Sequence, residues 1–169
     1  MRPCWDGGRM KRHRSKLKLS GESTPWTRVE CPSCLCQARE IENAILDECE
    51  QHHFGQDDIF AIKLALEEAL VNAVKHGNRL DPAKCVRVQY LVTDQRADIA
   101  IEDQGCGFNP AELPNPTSDE NLEKSSGRGI LLMRAYMSSV VFNPAGNKVT
   151  LTRFNEAYEA GAERNAAMG

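Results

Sequence analysis

The stretch Leu66-Glu67-Glu68-Ala69-Leu70-Val71-Asn72-Ala73-Val74-Lys75-His76-Gly77-Asn78 constrains this chain most. Ile59, Ile62, Leu64 and Ala65 extend its apolar series upstream, and the spacing predicts a helix over about 57–76. Asp57 or Asp58 can cap its start, and Gly77-Asn78 is a C-terminal stop. At 3.6 residues per turn Glu68 and Asn72 share one face, and Lys75 and His76 follow a turn later. Asn competes with its own backbone for hydrogen bonds, so a helix that only needed a core would have little use for it. A carboxylate beside a neutral oxygen ligand is what a site for Mg²⁺ and phosphate requires.

The rest of the chain gives that helix an ordinary setting. Its 169 residues fit one domain able to bury a core, with a net charge of −3 and a hydrophobic fraction of 41%. No apolar run approaches the roughly 20 residues of a membrane span. The N-terminus lacks the apolar segment of a signal peptide, so the expected location is cytoplasmic. Seven irregularly spaced cysteines in a chain of this size read as reduced thiols. Arg2, Arg9, Lys11, Arg12, Arg14, Lys16 and Lys18 face a single acid, Asp6. No aromatic-interleaved basic surface follows, so residues 1–23 read as a disordered basic leader rather than a nucleic-acid arm.

Alternation over Trp26–Cys31 predicts a first strand, and three- and four-residue spacing from about Ser33 to His53 predicts a helix. Gly55 separates it from the Glu68 helix. Cys85–Val92 and Ala97–Asp103 alternate on either side of a turn near Asp94-Gln95, a hairpin pattern. Residues 104–126 carry no periodicity and form a long loop, a feature that is usually functional. A helix begins at Gly127-Arg128-Gly129, and two strands, about 139–143 and 147–154, close the fold around Pro144-Ala145-Gly146-Asn147. The order implies a two-layer α/β sandwich, with a mixed, largely antiparallel sheet covered on one face by helices. The domain spans 24–156, and 157–169 form a flexible tail.

Two further motifs are compatible with chemistry, although each alone reads first as a tight turn or an ordinary helix start. Asp103-Gln104-Gly105-Cys106-Gly107-Phe108 follows a strand directly: the glycines let backbone pass close to a ligand, and the carboxylate can accept from an exocyclic amino group such as that of adenine. Ser125-Ser126-Gly127-Arg128-Gly129 opens a helix, whose free N–H groups bind phosphate, with Arg128 or Lys124 adding charge.

In this order, the three motifs resemble the N, G1 and G2 boxes of the GHKL ATPase superfamily, the Bergerat fold, over about residues 26–154. Glu68-Ala69-Leu70-Val71-Asn72-Ala73-Val74-Lys75-His76-Gly77 is similar to the Asn box of the small anti-sigma factor serine/threonine kinases of the RsbW and SpoIIAB type. The resemblance implies ATP and Mg²⁺, with Asn72 as metal ligand and Glu68 as general base toward an incoming hydroxyl. It implies Asp103 for the adenine amino group, Gly105 and Gly107 making room for the base, and residues 109–126 as a lid. Gly127, Arg128, Gly129 and Lys124 would close on the phosphates, with Lys75 and His76 nearby. Lys75 reads as solvent-facing, and His76 as a phosphate contact or a helix-end cation. Family members carry Gly-Thr where this chain has Gly146-Asn147, and Asn147 can still hydrogen-bond.

The implied activity is an ATP-dependent protein serine/threonine kinase that phosphorylates a small anti-sigma-factor antagonist and sequesters an alternative sigma factor. It needs no direct nucleic acid or membrane contact and allows a homodimer. The alternatives are a non-catalytic ATP-dependent binding module and a detached histidine-kinase catalytic domain. Cys31-x-x-Cys34 has metal or redox spacing, but no second pair completes it nearby, so packing where strand meets helix is the simpler reading. Phe108 is expected to anchor the start of the lid in the core.

Overall fold

A computed structural model describes residues 12–15, 26–110, 128–158 and 160. Its strands are β1 (Arg12–Ser15), β2 (Trp26–Pro32), β3 (Cys85–Val92), β4 (Arg96–Glu102), β5 (Ser139–Phe142) and β6 (Lys148–Phe154). Its helices are α1 (Leu35–Gln51), α2 (Gln56–Val71) and α3 (Arg128–Tyr136). The strands form one sheet in the order β1-β2-β3-β4-β6-β5.

Period-two burial decides which face is covered. Val29 and Cys31 of β2, Val86, Val88 and Tyr90 of β3, Ile99 and Ile101 of β4, and Val149 and Leu151 of β6 are buried in one core. Ile41, Ile45 and Cys49 of α1 and Ile62, Leu66 and Leu70 of α2 enter the same core, so the helices cover that face. The opposite face carries charged pairs, Arg87 with Glu30 and Arg96 with Asp98. This is the expected two-layer α/β sandwich, corrected in one respect. Every described strand pair is antiparallel, so the sheet is not mixed. The reason lies in the connections. Two helices between β2 and β3 reverse the chain an odd number of times, and hairpins make the other neighbouring pairs that are joined in sequence.

Several local expectations are also revised. Arg12–Ser15 pairs along β2 with Arg12 opposite Val29, so the leader expected to be disordered over 1–23 contributes a short strand. The N-cap of α2 is Gly55, not Asp57 or Asp58. Asp58 instead lies buried beneath β6, where Arg153 donates to it from Nε at 2.8 Å and from Nη2 at 2.7 Å. The Glu156 backbone N–H donates to its other oxygen at 3.1 Å. A side chain so occupied is no longer available to cap. Cys34 and Cys36 form a disulfide, so those two thiols are not reduced, while Cys31, Cys49 and Cys106 are free. Cys31 is buried in β2, and no group of three metal-ligating side chains occurs among the described residues. Among those residues no helix is long and apolar enough to cross a membrane.

Losing one partner of a buried ion pair strands the other charge and costs about 3–5 kcal/mol. R153M should therefore lower the unfolding free energy by about 3 kcal/mol in urea titration, and adding D58N should recover part of that loss, because the remaining group is then neutral. Equal stability of R153M and the unaltered chain would remove this pair from the account of how α2 is fixed to the sheet.

Candidate functional site

Helix α2 does not continue uniformly to Gly77. From Asn72 to Gly77 the backbone widens into a π-turn, in which Asn78 N–H donates to the Ala73 carbonyl, five residues back, at 2.8 Å. Such insertions recur at functional sites because they redirect side chains and backbone over one turn. Here the turn ends with Gly77 against the end of β4. A Cβ on Gly77 would collide with the Asp103 carboxylate, and one on Gly105 would collide with the Gly77 carbonyl. Only hydrogen side chains allow this approach, so the C-terminal end of the helix and the turn after β4 meet backbone to carboxylate.

Glu68 lies about two turns and Asn72 about one turn before Gly77. Gly129, at the start of α3, packs so closely on Glu68 that a Cβ would strike its Oε2, and it would stand 3.5 Å from the Asn72 amide nitrogen. Helix α3 therefore begins directly on the Glu68–Asn72 face, as an α2-to-α3 packing with Met133 in the core. Between these two contacts opens a cavity of ≈ 450 Å³. It falls within the range of roughly 300–1,000 Å³ usual for small-molecule sites.

Glu68, Asn72, His76, Asp103, Gly107 and Gly129 all line this cavity. Gly105 lies behind it, packed on Gly77. Lys75 and Arg128 are exposed and do not line it. Lys124 and Gly127, with lid residues 111–126, lie outside the described residues. The walls that sequence reasoning missed are mostly apolar: Ile101, Ile130, Met133, Phe142 and Val149. Their strand and helix periodicity marks them as core, and nothing in a core pattern shows which members border a cavity. Lys148, also in the wall, stands 3.9 Å from Glu102. Phe108 is not a core anchor: it is 39% exposed and rests edge-on against Phe142, with ring centroids 5.2 Å apart.

Asp103 is the half-buried carboxylate of the site. Burial raises its pKa above the ordinary value, opposed by the Gly105 N–H, which donates to Oδ1 at 2.7 Å, and by the charge of Lys84. Its backbone is held from the β6 side by Asn147, whose carbonyl accepts from Asp103 N–H at 3.0 Å and whose Nδ2 donates to the Asp103 carbonyl at 3.2 Å. Asn143 Nδ2 donates in turn to Asn147 Oδ1 at 2.8 Å. One Nδ2 hydrogen and one Oδ1 lone pair of Asn147 are thus engaged with protein, and Asn147 itself lines the cavity. Gly107 and Gly146 both adopt positive φ, 70° and 69°, and their backbones touch across the loop ends: a Cβ on either would strike the carbonyl of Ala145 or Phe108.

The cavity has two chemically distinct ends. One offers a carboxylate and an amide, Glu68 and Asn72, beside a helix start; the other offers the Asp103 carboxylate among close backbones and apolar walls. An all-protein metal cage is absent among the described residues. Mg²⁺ bound together with phosphates needs only one or two protein oxygens, so the side-chain oxygen of Asn72 fits that mode and leaves Glu68 beside it.

Comparison with known proteins identifies the family. The model of the histidine kinase-like ATPase domain matches residues 31–153. An anti-sigma F factor of Geobacillus stearothermophilus is 30% identical over 105 residues, covering 60% of this chain and 71% of that protein. One from Clostridium perfringens is 33% identical over 97 residues, covering 56% and 69%. The serine-protein kinase RsbW of Bacillus licheniformis is 33% identical over 110 residues, covering 60% and 68%. The crystal structure of the RsbU and RsbW domains of Rv1364c from Mycobacterium tuberculosis shares the fold, with a TM-score of 0.51 at 18% identity, over 79% of this chain and 32% of that one. A family model matching residues 31–153, with relatives matched over more than two thirds of their own length, gives the family: the chain belongs to the histidine kinase-like ATPase domains, in the group of the anti-sigma factors and RsbW-type serine-protein kinases.

Proposed function

We propose that this chain binds ATP with Mg²⁺ and transfers the terminal phosphoryl group to a serine or threonine of a partner protein, a small anti-sigma-factor antagonist. In its other state it binds and holds an alternative sigma factor. The observation that carries the reading is the two-ended cavity, with Glu68 and Asn72 at one end and Asp103 at the other. The relatives named as anti-sigma F factors and as a serine-protein kinase supply the partner class.

Each end has a task. The Asp103 carboxylate accepts from the adenine amino group, and Ile101, Met133 and Val149 supply apolar surface in the same cavity. Asn72 contributes a neutral oxygen to Mg²⁺, which when bound neutralises charge on the phosphates. Glu68 receives the proton of the attacking hydroxyl as its oxygen bonds to the γ-phosphorus and the bond to the bridging oxygen of ADP breaks. Gly129 holds Glu68 in place by contact and brings backbone N–H groups of the α3 start toward the phosphates. Positioning and charge neutralisation supply most of the rate in such transfers, so rigid contacts around Glu68 matter more than any single strong interaction.

E68Q keeps the shape and removes the base. It should lower phosphoryl transfer to an antagonist by about 10²–10⁴-fold while ATP affinity stays within about threefold, as measured with labelled ATP and by calorimetry. An unchanged transfer rate in E68Q would end the assignment of Glu68 as base. Acid-labile rather than acid-stable phosphate on the partner would indicate a histidine kinase, and tight ATP binding without any transfer would indicate a binding module.

The free thiols give an independent measure of occupancy. Burial and the neighbouring Glu30 push Cys31 up to about 11, and burial with Glu48 pushes Cys49 up to about 12, so both are inert at neutral pH. Cys106 is exposed on the cavity wall. Among the described free thiols, Cys106 should be the one alkylated in the native protein, and saturating MgATP should slow that reaction at least about tenfold, as read by mass spectrometry. Equal rates with and without nucleotide would place ATP elsewhere.

A further inference from the structure

We infer that Asn78 is the positioning residue of the adenine end of the site: without touching a ligand, it fixes the turn that carries Asp103 and so sets the preference for adenine. The inference rests on the nucleotide reading above.

Asn78 is fully buried, at 0% exposure, and does not line the cavity. Its side-chain amide joins three separate pieces of chain. Nδ2 donates to Ser33 Oγ at 2.7 Å, at the corner between β2 and α1, and to the Cys85 carbonyl at 3.0 Å, at the start of β3. Oδ1 accepts from the Gln104 backbone N–H at 2.8 Å, the residue directly after Asp103. Gln104 completes the circuit, its Oε1 accepting from Cys85 N–H at 2.7 Å. Three of the amide's four hydrogen-bonding positions are thereby filled by groups that do not move with each other unless the network moves as one.

The Asp103 backbone is therefore clamped from two sides. Asn147 holds residue 103 itself from β6, and Asn78 holds residue 104 from the end of the π-turn. Between the clamps, the Asp103 carboxylate sits against Gly77 and accepts from Gly105 N–H. Loss of the Asn78 clamp would free one end of the turn and leave the carboxylate with a range of positions. A structural Asn that only ended a helix would not need these partners.

The backbone beyond Asn78 supports the same conclusion. Arg79 and Leu80 have φ of 57° and 58°, left-handed values that non-glycine residues adopt at a cost. Two such residues in succession persist only where the surroundings over-determine the path, and strain of this kind collects at functional sites. What the path secures here is the burial of Asn78 between Ser33, Cys85 and Gln104.

The test separates positioning from general loss of structure by measuring affinity for both MgATP and MgGTP. An oriented Asp103 accepts from the adenine amino group and faces the guanine oxo group without a donor, so it contributes to ATP binding alone. N78A should weaken ATP about tenfold, the loss of one to two net hydrogen bonds, and leave GTP within about twofold, collapsing the preference. D103A should collapse it in the same way, and in the D103A background N78A should add no further loss of preference. A D103A variant that retains full ATP preference would overturn the adenine assignment of Asp103. If D103A loses the preference while N78A retains it, or weakens both nucleotides equally, the inference about Asn78 is wrong. Should N78A fail to fold, as judged by its thermal melt, S33A serves in its place. It removes one acceptor of the Asn78 amide and should lower the ATP-to-GTP preference about two- to threefold; an unchanged preference in S33A overturns the inference.

Discussion

The contact between Gly77 and the Asp103 carboxylate is the constraint on which the rest of the site depends. It joins the end of a helix to the end of a strand at a distance that no Cβ permits. Everything on the helix upstream of Gly77 is then set relative to everything that follows Asp103. Glu68 and Asn72 lie two and one helical turns or so before the contact, and the cavity wall formed by Gly107 and Phe108 lies just after it. A second contact of the same kind, Gly129 on Glu68, closes the other end. The cavity is the space left between these two points of backbone approach, walled by the core residues that happen to face it.

Much of this was legible in the sequence, for identifiable reasons. The β3–β4 hairpin and the two closing strands announce themselves by alternation, and α1 by three- and four-residue spacing; the observed Cys85–Val92 strand is the predicted one. The spacing of Glu68 and Asn72, and the glycines around Asp103 and Gly129, carried the site because carboxylates, amides and glycines are costly in ordinary core positions. The π-turn was not legible. Asn72-Ala73-Val74-Lys75-His76-Gly77 fits an α-helical pattern as well as a π pattern, and the tertiary partners of Asn78 at its end, Ser33, Cys85 and Gln104, are distant in sequence or set by other elements. The Asp58–Arg153 pair was hidden for the same reason: an Asp in the first turn of a helix reads as a cap, and only the fold brings Arg153, 95 residues later, beside it. The contacts of Asn147 with Asn143 and Asp103 were hidden as well, because the closing hairpin sets them.

The cysteines show the limit of composition. An odd count suggested uniformly free thiols, whereas the chain divides them by location. Cys31 and Cys49 serve as small core residues with raised pKa values, Cys34 and Cys36 are joined across Leu35, and Cys106 is exposed at the cavity. Only local environment separates these roles: burial raises the thiol pKa of Cys31 and Cys49, and exposure leaves Cys106 within reach of a reagent.

Buried amides recur where three elements meet. Asn78 joins the β2–α1 corner, β3 and the turn after β4. Asn155, 2% exposed, donates to the carbonyls of His52 and Asp94 at 3.2 and 2.8 Å, joining the end of α1, the β3–β4 turn and the end of β6. An apolar contact tolerates a small sliding of helix over sheet with little change in energy, because packing attraction is nondirectional. A buried amide does not, since displacement by an ångström leaves desolvated donors and acceptors unmatched, at about 1–3 kcal/mol each. The helical layer of this fold is held to its sheet mainly by apolar side chains, which fix separation more firmly than register. The two asparagines and the Asp58–Arg153 pair supply the register. A site whose two ends belong to different layers needs that register, because Glu68 rides on a helix and Asp103 on the strand beneath it.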